Sequence, residues 1–579
     1  MAFYSPKKIE PAKSNLNIRM IFLLLVIFFV GVVIIFRLFS LQILQHSFYN
    51  TLASQEHETY KDLLAERGSI YTKEKDQLYP LVTNRGYYLI YAEPIRIEKP
   101  NEVTNAIASI LNFTDSEKQE LLARLSKTND VYEPIKHKIT LAQVDQIKNL
   151  KLAGIGFAPE SYRFYPEKGI GGHVFGFIGF KDDKKVGEYG LEGYFDQELS
   201  GQPGLIKAAK DALGSIITVG QRSVKKAENG SDLVLTIDRQ IQFVACQKLK
   251  EFADKFKADG GSVVIMAPTG EILAMCGLPD FDPDNYQDTE DINAFNNPVI
   301  FSAYEPGSVF KGITMAAGLD SGAVDINTTY EDTGEVKIGG FTIKNSDLKA
   351  HGKTTMVGIL EKSLNTGAIF VEQKVGKTTF ENYVRNFGFG KLTGITLEKE
   401  VPGDLSALSK PGEIYGMTAS YGQGIMVTPI QLVAAYGAIA NQGKLYKPYI
   451  VSEIINPNGQ KQTFGPQSVR QVISPKAASL LTGMLTSVVE HGYGQLAGNK
   501  GYYFAGKTGT AQVASPGGGY GSKTNHTFVG FGPISKPAFI MVTVLNNPKG
   551  VKFAESSATP LFGQIAQFLL NYYQIKPDY

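Results

Sequence analysis

The stretch EPGSVFKGITMAAGL (residues 305–319) joins a turn to an apolar helix pattern and places Ser308 at the junction. Pro306 and Gly307 are turn residues, and the apolar run behind them is typical of a buried helix. Lys311 stands three residues after Ser308, so the two side chains share one helical face about one turn apart. The stretch therefore predicts a helix that begins at a serine and carries a lysine beside it.

A serine hydroxyl is a poor nucleophile until a base removes its proton, and a desolvated lysine can be that base. A helix N-terminus adds free backbone N–H groups and a positive dipole end, which favour developing negative charge. The plainer interpretation is a serine helix cap followed by a surface lysine, and the pair alone favours it. Three other serines have a lysine at the same spacing, in polar stretches or near the N-terminus: Ser5, Ser223 and Ser346.

Two further motifs change this balance. Ser363-Leu364-Asn365 is the only S-x-N triplet in the chain and lies between helical patterns. The only K-T-G triplet begins at Lys507, within a β-rich run. The three motifs follow one another with separations of 55 and 144 residues, an arrangement that is hard to attribute to chance.

The K-T-G motif has properties that suit it to binding a peptide. Gly509, without a side chain, allows a substrate backbone to approach the strand and pair with its edge. Lys507 and the hydroxyls of Thr508 and Thr510 can together hold a carboxylate. A turn or a solvated strand end is the plainer alternative for this motif taken alone.

The surrounding sequence predicts an α+β domain with an antiparallel sheet flanked by helices. Residues 233–252 read as a strand followed by an amphipathic helix, and residues 261–278 as a hairpin that turns at Pro268-Thr269-Gly270-Glu271. Three more strands are predicted near the C-terminus, before a helix at 558–573 that packs on the sheet: 502–514, 526–533 and 538–547. Strands grouped in this way favour an antiparallel sheet over alternating βαβ units.

Residues 45–228 form a separate mixed α/β region in this interpretation. A strand is predicted at 86–94, and helices at 103–112 and 141–150. The polar, turn-rich stretch 224–232 marks a boundary. The predicted organisation is a tail, a membrane anchor, a mixed α/β domain and an α+β domain, with the bounds 1–19, 20–44, 45–228 and 229–579.

One membrane helix is predicted near the N-terminus, because residues 20–36 read MIFLLLVIFFVGVVIIF without a charge. With Arg37 reaching the interface, residues 20–39 span about 30 Å, the thickness of a bilayer core. A cleaved signal peptide is the alternative, but the run is long and no A-x-A site follows closely. The flanking charges predict a cytoplasmic N-terminus and an extracytoplasmic remainder. Those charges are Lys7, Lys8, Glu10, Lys13 and Arg19 on one side, and Glu56, Glu58, Lys61, Asp62 and Glu66 on the other.

Composition excludes several classes of function. With 58 basic and 56 acidic side chains, the net charge of +2 provides no global field for nucleic acid. Seven histidines show no metal-ligand spacing, so we expect no metal and no cofactor. We expect Cys246 and Cys276 to be small buried apolar residues rather than a single bridge.

The three motifs together resemble the signature of penicillin-binding proteins and serine β-lactamases. S-L-N is closer to the S-x-N of penicillin-binding proteins than to the S-D-N of class A β-lactamases. Longer stretches resemble class B penicillin-binding proteins: YRFYPEKGIGGHVFGFIG (162–179), DLVLTIDRQIQ (232–242) and YGQGIMVTPIQLVAAYGAIANQG (421–443). The resemblance implies a penicillin-binding/β-lactamase-like transpeptidase domain on an elongated pedestal, anchored in the bacterial plasma membrane.

The resemblance also implies a role for each motif residue. Ser308 would attack the penultimate D-alanine of a peptidoglycan stem peptide ending in D-Ala-D-Ala, with Lys311 as the base. Ser363 would relay a proton to the leaving amine, and Asn365 would hold Lys311 and the substrate amide. The opposite wall, which completes the electrostatics and binds the terminal carboxylate, would be formed by Lys507, Thr508, Gly509 and Thr510. Backbone N–H groups of Ser308 and Thr510 would form the oxyanion hole.

The implied function is a D,D-transpeptidase that cross-links stem peptides through an acyl-enzyme and is trapped by β-lactams. EPGSVFK and SLNTGA resemble division-type more than elongation-type enzymes. Because residues 45–228 match a class B pedestal, glycan polymerisation is expected from a partner, a polytopic membrane glycosyltransferase, alongside other wall-synthesis proteins. Two alternatives remain: a D,D-carboxypeptidase or β-lactamase-like hydrolase, in which water deacylates the enzyme, and a non-catalytic scaffold or β-lactam sensor.

Overall fold

The structure is a computed structural model that describes residues 18–45, 58–63, 65–169, 171–182, 184–209, 223–338, 340–514 and 519–579. The chain divides into two compact units, Met1–Ala65 with Gln202–Glu228, and Glu66–Gly201 with Asn229–Tyr579. Several charged residues on which the predicted membrane orientation depends lie outside the described residues: Lys7, Lys8, Glu10, Lys13 and Glu56. The orientation therefore stays a prediction.

The first unit contains the predicted apolar helix, α1 (Ile18–Phe39), which continues into a π-helical turn at Ser40–Leu44. Its apolar segment, Met20–Ile43, has 24 residues and a mean hydropathy of 3.1, which is long and apolar enough to cross a membrane. The unit also holds an antiparallel sheet in the order β1 (Glu58–Leu63), β8 (Gly204–Ala209) and β9 (Ser223–Lys225).

Residues 66–201 of the second unit form a mixed α/β region around the long strand β3 (Gln77–Ala92). Its antiparallel partners are β2 (Ile70–Glu74), β4 (Glu133–Ile139) and β5 (Ile155–Phe164). Both predicted helices are confirmed among α2 (Pro100–Leu111), α3 (Asp115–Leu125) and α4 (Leu141–Asn149). The remaining elements are short: α5 (Gly172–Phe175), β6 (Phe177–Lys181), β7 (Lys184–Glu188), α6 (Gly190–Tyr194) and α7 (Asp196–Ser200).

One sheet continues from this region into the region after residue 229. Strand β10 (Asp232–Leu235) pairs parallel with β2 and antiparallel with β18 (Val451–Ile455), which in turn pairs with β19 (Lys461–Thr463). In the mixed region, the fully buried carboxylate of Glu192 lies between two guanidinium groups. Its oxygens are 2.6 Å from Arg67 Nε and 2.5 Å from Arg163 Nε, so this buried charge is fully paired.

A five-stranded antiparallel sheet forms the core after residue 229, which confirms the α+β class. The strand order is β12 (Ile272–Leu278), β11 (Gly260–Met266), β23 (Phe539–Asn546), β22 (Tyr520–Gly532) and β21 (Ala505–Ala514). The predicted hairpin and C-terminal strands are thereby confirmed. One face packs against α8 (Arg239–Phe256) and α17 (Ala558–Tyr572), and the other against α15 (Pro429–Ala440) and α16 (Pro475–His491). Because both faces are covered, the central strands are continuously apolar.

Shorter elements lie between the two groups of core strands. The helices are α9 (Pro298–Phe301), α10 (Lys311–Asp320), α11 (Met356–Glu361), α12 (Asn365–Val375), α13 (Lys377–Asn386) and α14 (Ile414–Ser420). The strands form three antiparallel pairs: β13 (Thr329–Asp332) with β16 (Gly352–Thr355), β14 (Glu335–Ile338) with β15 (Phe341–Lys344), and β17 (Lys444–Tyr446) with β20 (Ser468–Gln471).

The two cysteines form a disulfide, so the expectation of separate buried thiols is wrong. Cys246 on α8 and Cys276 on β12 have their Cα atoms 5.3 Å apart. The two cysteines come within bridging distance because α8 packs against β12. This packing is a contact between separate elements that the sequence alone does not reveal. An oxidising compartment outside the cytoplasm is the setting in which such a bond persists.

Candidate active site

Ser308 lies in a tight turn directly before a helix. Gly307–Phe310 form a single 3₁₀ turn, and α10 begins at Lys311. The predicted α-helix therefore starts three residues later than its serine. In a 3₁₀ turn, residues i and i+3 eclipse, so Lys311 still follows Ser308 on the same face.

The strand with the K-T-G motif packs closely against this turn. A Cβ atom at Gly509 would lie 2.8 Å from the carbonyl oxygen of Pro306 and 2.9 Å from Cγ1 of Val309. Gly307, at a φ of +59°, is similarly close to Ala511 of the same strand. The small residue at position 509 therefore permits the close approach of β21 to the nucleophile turn, while the predicted approach of a substrate backbone to this strand stays a prediction.

Ser363 occupies a backbone position that normally belongs to glycine. Its φ is +53°, and it ends α11 in a Schellman arrangement. The Ser363 N–H donates to Leu360 at 3.3 Å, and the Leu364 N–H donates to Ile359 at 2.9 Å. A non-glycine residue in this region is uncommon, and here the serine turns both its carbonyl and its hydroxyl toward the lysines described next.

Two lysine amines converge on the Ser363 hydroxyl. Lys311 Nζ lies 3.3 Å from Ser363 Oγ and also donates to the Ser363 carbonyl at 2.6 Å. Lys507 Nζ lies 3.1 Å from the same Oγ and donates to the Thr508 carbonyl at 3.2 Å. Because the hydroxyl oxygen can accept from both amines, its own proton remains free to be donated toward the cavity.

Burial alters the protonation of both lysines. Lys311 is 1% exposed and Lys507 is 0% exposed. Burial lowers the pKa of Lys507 to about 7. Burial, and then the positive charge of Lys507, hold the pKa of Lys311 well below its ordinary value of 10.5. A neutral amine at Lys311 can therefore act as a base near neutral pH.

The remaining motif residues lie at the walls of the same site. Asn365 Nδ2 donates to the carbonyl oxygen of Lys344 at 2.8 Å, which ties the S-x-N motif to β15. The resemblance had implied a contact between Asn365 and Lys311 instead. Thr508 Oγ1 lies 3.3 Å from Lys507 Nζ, and Thr510 Oγ1 accepts the Ala554 N–H at 3.0 Å.

A cavity of about 830 Å³ opens over these groups. Five of the predicted site residues line it: Ser308, Ser363, Asn365, Thr508 and Thr510. The buried side chains of Lys311 and Lys507 lie behind this surface. Among the described residues, no group of three His, Cys, Asp or Glu side chains is placed to hold a metal ion.

Sequence reasoning missed part of the lining. Tyr421 and Gln423 belong to the YGQG stretch that carried the family resemblance, so a signal for them was present. Tyr493 and Phe553 come from separate segments and belong to no motif that we recognised. They reach the cavity because α16 and the segment before α17 end beside it.

A serine in a helix-initiating turn, two buried lysines and a second serine define the serine acyltransferase class of the penicillin-binding and β-lactamase type. Residues 260–567 match the penicillin-binding protein transpeptidase domain, and residues 62–235 match the penicillin-binding protein dimerisation domain. The chain belongs to the family of penicillin-binding proteins.

Similar proteins support the same assignment. The chain is 32% identical to Stage V sporulation protein D of Bacillus subtilis, over 97% of this chain and 87% of that protein. It is 30% identical to the peptidoglycan D,D-transpeptidase FtsI of Escherichia coli, over 86% and 83% of the two chains. Penicillin-binding protein 3 of Mycobacterium tuberculosis, solved with aztreonam, aligns with a TM-score of 0.67 and 26% identity, over 90% of this chain and 98% of that one.

Proposed function

We propose that this chain is a peptidoglycan D,D-transpeptidase with Ser308 as its nucleophile. The observation that carries the proposal is the placement of one hydroxyl, Ser363 Oγ, within 3.3 Å of two buried amines, beside a cavity that Ser308 also lines. This arrangement supplies a nucleophile, a neutral base and a proton relay in one place.

In the first half of the reaction, Ser308 Oγ bonds to the carbonyl carbon of the penultimate D-alanine and its proton passes to Lys311. The C–N bond to the terminal D-alanine then breaks. The leaving amine takes a proton from the Ser363 hydroxyl, which the Lys311 ammonium replenishes. The products of this half are an acyl-enzyme and free D-alanine, which carries away the proton that Ser308 lost, while Lys311 and Ser363 are back in their starting protonation states.

In the second half, the amine of a neighbouring stem peptide attacks the acyl carbon. Its proton returns through Ser363 and Lys311 to Ser308 Oγ as the ester bond breaks, which regenerates the enzyme and leaves a new peptide cross-link. A β-lactam acylates Ser308 in the same way, but its ring-opened product stays attached and blocks access by the amine.

Substrate binding uses the edge strand β21. As the outermost strand of the core sheet, β21 presents unpaired backbone groups to a peptide. Thr508 and Thr510 offer hydroxyls to the terminal carboxylate, and Lys507 adds positive charge behind them. The N–H groups of Ser308 and Thr510 stabilise the oxyanion, a contribution of about 3–4 kcal/mol in comparable enzymes. On the opposite side of the cavity, Asn365 is hydrogen-bonded to Lys344 of β15. Gly509 allows β21 to pack closely against the turn that carries Ser308.

Intact-mass spectrometry of the full chain with benzylpenicillin tests the proposal. We expect a stable mass increase of one drug molecule, lost in Ser308→Ala and retained in Ser346→Ala, the other external serine near the cavity with a lysine at i+3. An intact drug without an adduct would indicate a scaffold. Hydrolysed drug without an adduct would indicate a hydrolase.

The cellular setting is a further part of the proposal. We propose one membrane-spanning helix (20–44), a cytoplasmic tail (1–19), and an extracytoplasmic pedestal (45–228) and transpeptidase domain (229–579). A polytopic membrane glycosyltransferase would supply the glycan, and the role would be in division. Depletion in the source bacterium should give filaments, whereas rounded cells would assign the protein to elongation. A defect confined to sporulation would assign it to the stage for which the Bacillus subtilis relative is named.

A further inference from the structure

Glu305, three residues before Ser308, joins three elements at the cavity and has no part in the mechanism above. Its Oε1 accepts the Gly424 N–H at 2.9 Å and the Tyr520 O–H at 3.2 Å. Gly424 belongs to the segment 421–427, and Tyr520 is the first residue of β22. One carboxylate oxygen therefore connects the nucleophile turn to two separate parts of the wall.

Backbone pairing already holds this segment on both sides of Gly424. The Gly422 and Gln423 N–H groups donate to Ala419 and Thr418 at 2.9 and 3.0 Å, and Met426 exchanges hydrogen bonds of 2.8 Å with Asp404. Tyr304 and Val427 exchange hydrogen bonds of 3.0 and 2.9 Å, and the Gly307 N–H donates to Gly422 at 2.9 Å. Between them, Gly422 and Gly424 have φ values of +81° and +73°. Glycine in such a conformation has little intrinsic preference to stay there, so the side-chain bond from Glu305 fixes Gly424, which lies between these backbone hydrogen bonds.

Two side chains of this segment lie at the cavity of the candidate active site. Tyr421 and Gln423 line the cavity together with Ser308. The charge of Glu305 acts on Tyr421: burial, and then that carboxylate, raise the pKa of the Tyr421 hydroxyl to about 12. Glu305 Oε2 is itself buried and has no hydrogen-bond partner among the described residues. Burying an unpartnered carboxylate oxygen is costly, which indicates that the bonds made by the other oxygen are needed.

We infer that Glu305 is a positioning residue for acylation: its carboxylate fastens the segment 421–424 and the start of β22 to the turn that carries Ser308. The inference rests on the proposed role of Ser308 as the nucleophile. Small displacements of groups around a reacting atom reduce rates by about 100-fold, so loss of this fastening should slow the chemical step. Binding capacity should be unaffected, because no group that forms the acyl-enzyme is removed.

The test uses the full chain in detergent and a fluorescent penicillin, with the acylation rate constant separated from the initial dissociation constant. We expect Glu305→Ala to lower the rate constant about 10- to 100-fold, with one adduct per protein at saturation. Glu305→Gln keeps an acceptor oxygen and should stay within about threefold of the wild type. Tyr520→Phe should lower the rate constant about threefold or more, and the double variant Glu305→Ala/Tyr520→Phe should be no slower than Glu305→Ala alone.

The controls are Glu251→Ala, an exposed carboxylate on α8 that pairs with Lys248, and Tyr503→Phe. A purely structural role would reduce the melting temperature and the adduct amplitude and leave the rate constant unchanged, which would overturn the inference. So would a wild-type rate constant in Tyr520→Phe, a substitution at a 45% exposed side chain that does not threaten folding. Absence of any adduct on the wild-type protein would instead overturn the assignment of Ser308.

Discussion

Buried charges are treated in opposite ways in the mixed α/β region and in the candidate active site. Glu192 is 0% exposed, and Arg67 and Arg163 approach it within 2.6 and 2.5 Å. Lys311 and Lys507 are as deeply buried, yet their amines donate hydrogen bonds to carbonyl and hydroxyl oxygens only, among the residues that the structure describes. Both amines contact the hydroxyl of Ser363.

Pairing with an opposite charge distinguishes a buried group that stabilises the fold from a buried group that can take part in catalysis. Opposite charges around Glu192 compensate the cost of desolvation, and the ion pairs hold the fold together. Lys311 and Lys507 have no carboxylate partner within the described part of the chain, so the cost of desolvating two like charges is uncompensated. Loss of a proton relieves that cost. Buried lysines in such a setting are therefore poised to exchange protons, and each region should respond differently to removal of one charge.

The largest expected effect is on catalysis, at Lys311. Lys311→Met keeps the volume of the side chain and removes the base, so we expect acylation by a fluorescent penicillin to slow about 10⁴-fold or more. Stability should be unchanged or higher, because an uncompensated amine leaves the core. A rate within tenfold of the wild type would show that another group is the base, and thermal unfolding of the same sample checks the fold.

The next effect is on stability, at Glu192. Glu192→Gln leaves Arg163, whose side chain is 5% exposed, without its counter-charge, while Arg67 keeps Asp196 at 2.7 Å, and we expect a loss of about 3–5 kcal/mol. The melting temperature should fall by about 3–5 °C, while the acylation rate constant of the folded protein stays the same. Glu102→Gln, which removes one member of an exposed pair with Lys99, is the matched control and should have no measurable effect. Equal melting temperatures for the two variants would contradict the comparison.

How much of this site the sequence could predict depends on the range of the contacts. The motif residues Ser308, Ser363 and Lys507 were identified because each lies in a short pattern with its own chemistry. The structure places Ser308 and Ser363 at one cavity, with Lys507 buried behind it. The core sheet was predicted for a similar reason, since turn residues and apolar runs mark strands locally.

The errors concern contacts between distant elements. Cys246 and Cys276 were expected to be separate because their pairing requires α8 to pack on β12. The packing of the nucleophile turn against β21 at Gly509 could not be inferred, because the sequence does not show that these two segments meet. The positive φ of Ser363 could not be inferred either, because a serine gives no signal for a position that usually requires glycine.

A fourth buried ionisable group, Glu372 on α12, sharpens the comparison. It is 0% exposed, and among the described residues neither of its carboxylate oxygens has a hydrogen-bond partner. Burial, and then the charge of Glu413, raise its pKa from an ordinary value of 4.5 to about 7, against a smaller opposing effect of Lys377. Like the active-site lysines, this group is buried without compensation.

The consequence for stability has a definite sign. Between pH 4.5 and 7, the folded protein keeps a proton on Glu372 that the unfolded chain releases. The free energy of unfolding therefore falls as pH rises through this window and is lowest above it. Glu372→Gln imitates the protonated form and should stabilise the protein by about 3 kcal/mol at pH 8, with little effect at pH 4.5. Denaturant unfolding at both pH values measures the difference, and equal effects at the two would rule out this titration.

The smallest effect concerns the coupling between the two lysines. Because the charge of Lys507 contributes to the low pKa of Lys311, Lys507→Gln should raise the pKa of Lys311. Acylation requires a neutral Lys311, so the acid limb of its pH–rate profile should move to higher pH, by about one unit for a loss of about 1.4 kcal/mol of repulsion. The maximum rate will also fall, since a donor to Ser363 is lost, but only the position of the limb reports the coupling. A limb at the wild-type pH would mean that burial alone sets the pKa of Lys311, and the like charge next to it would then have no part in making the base.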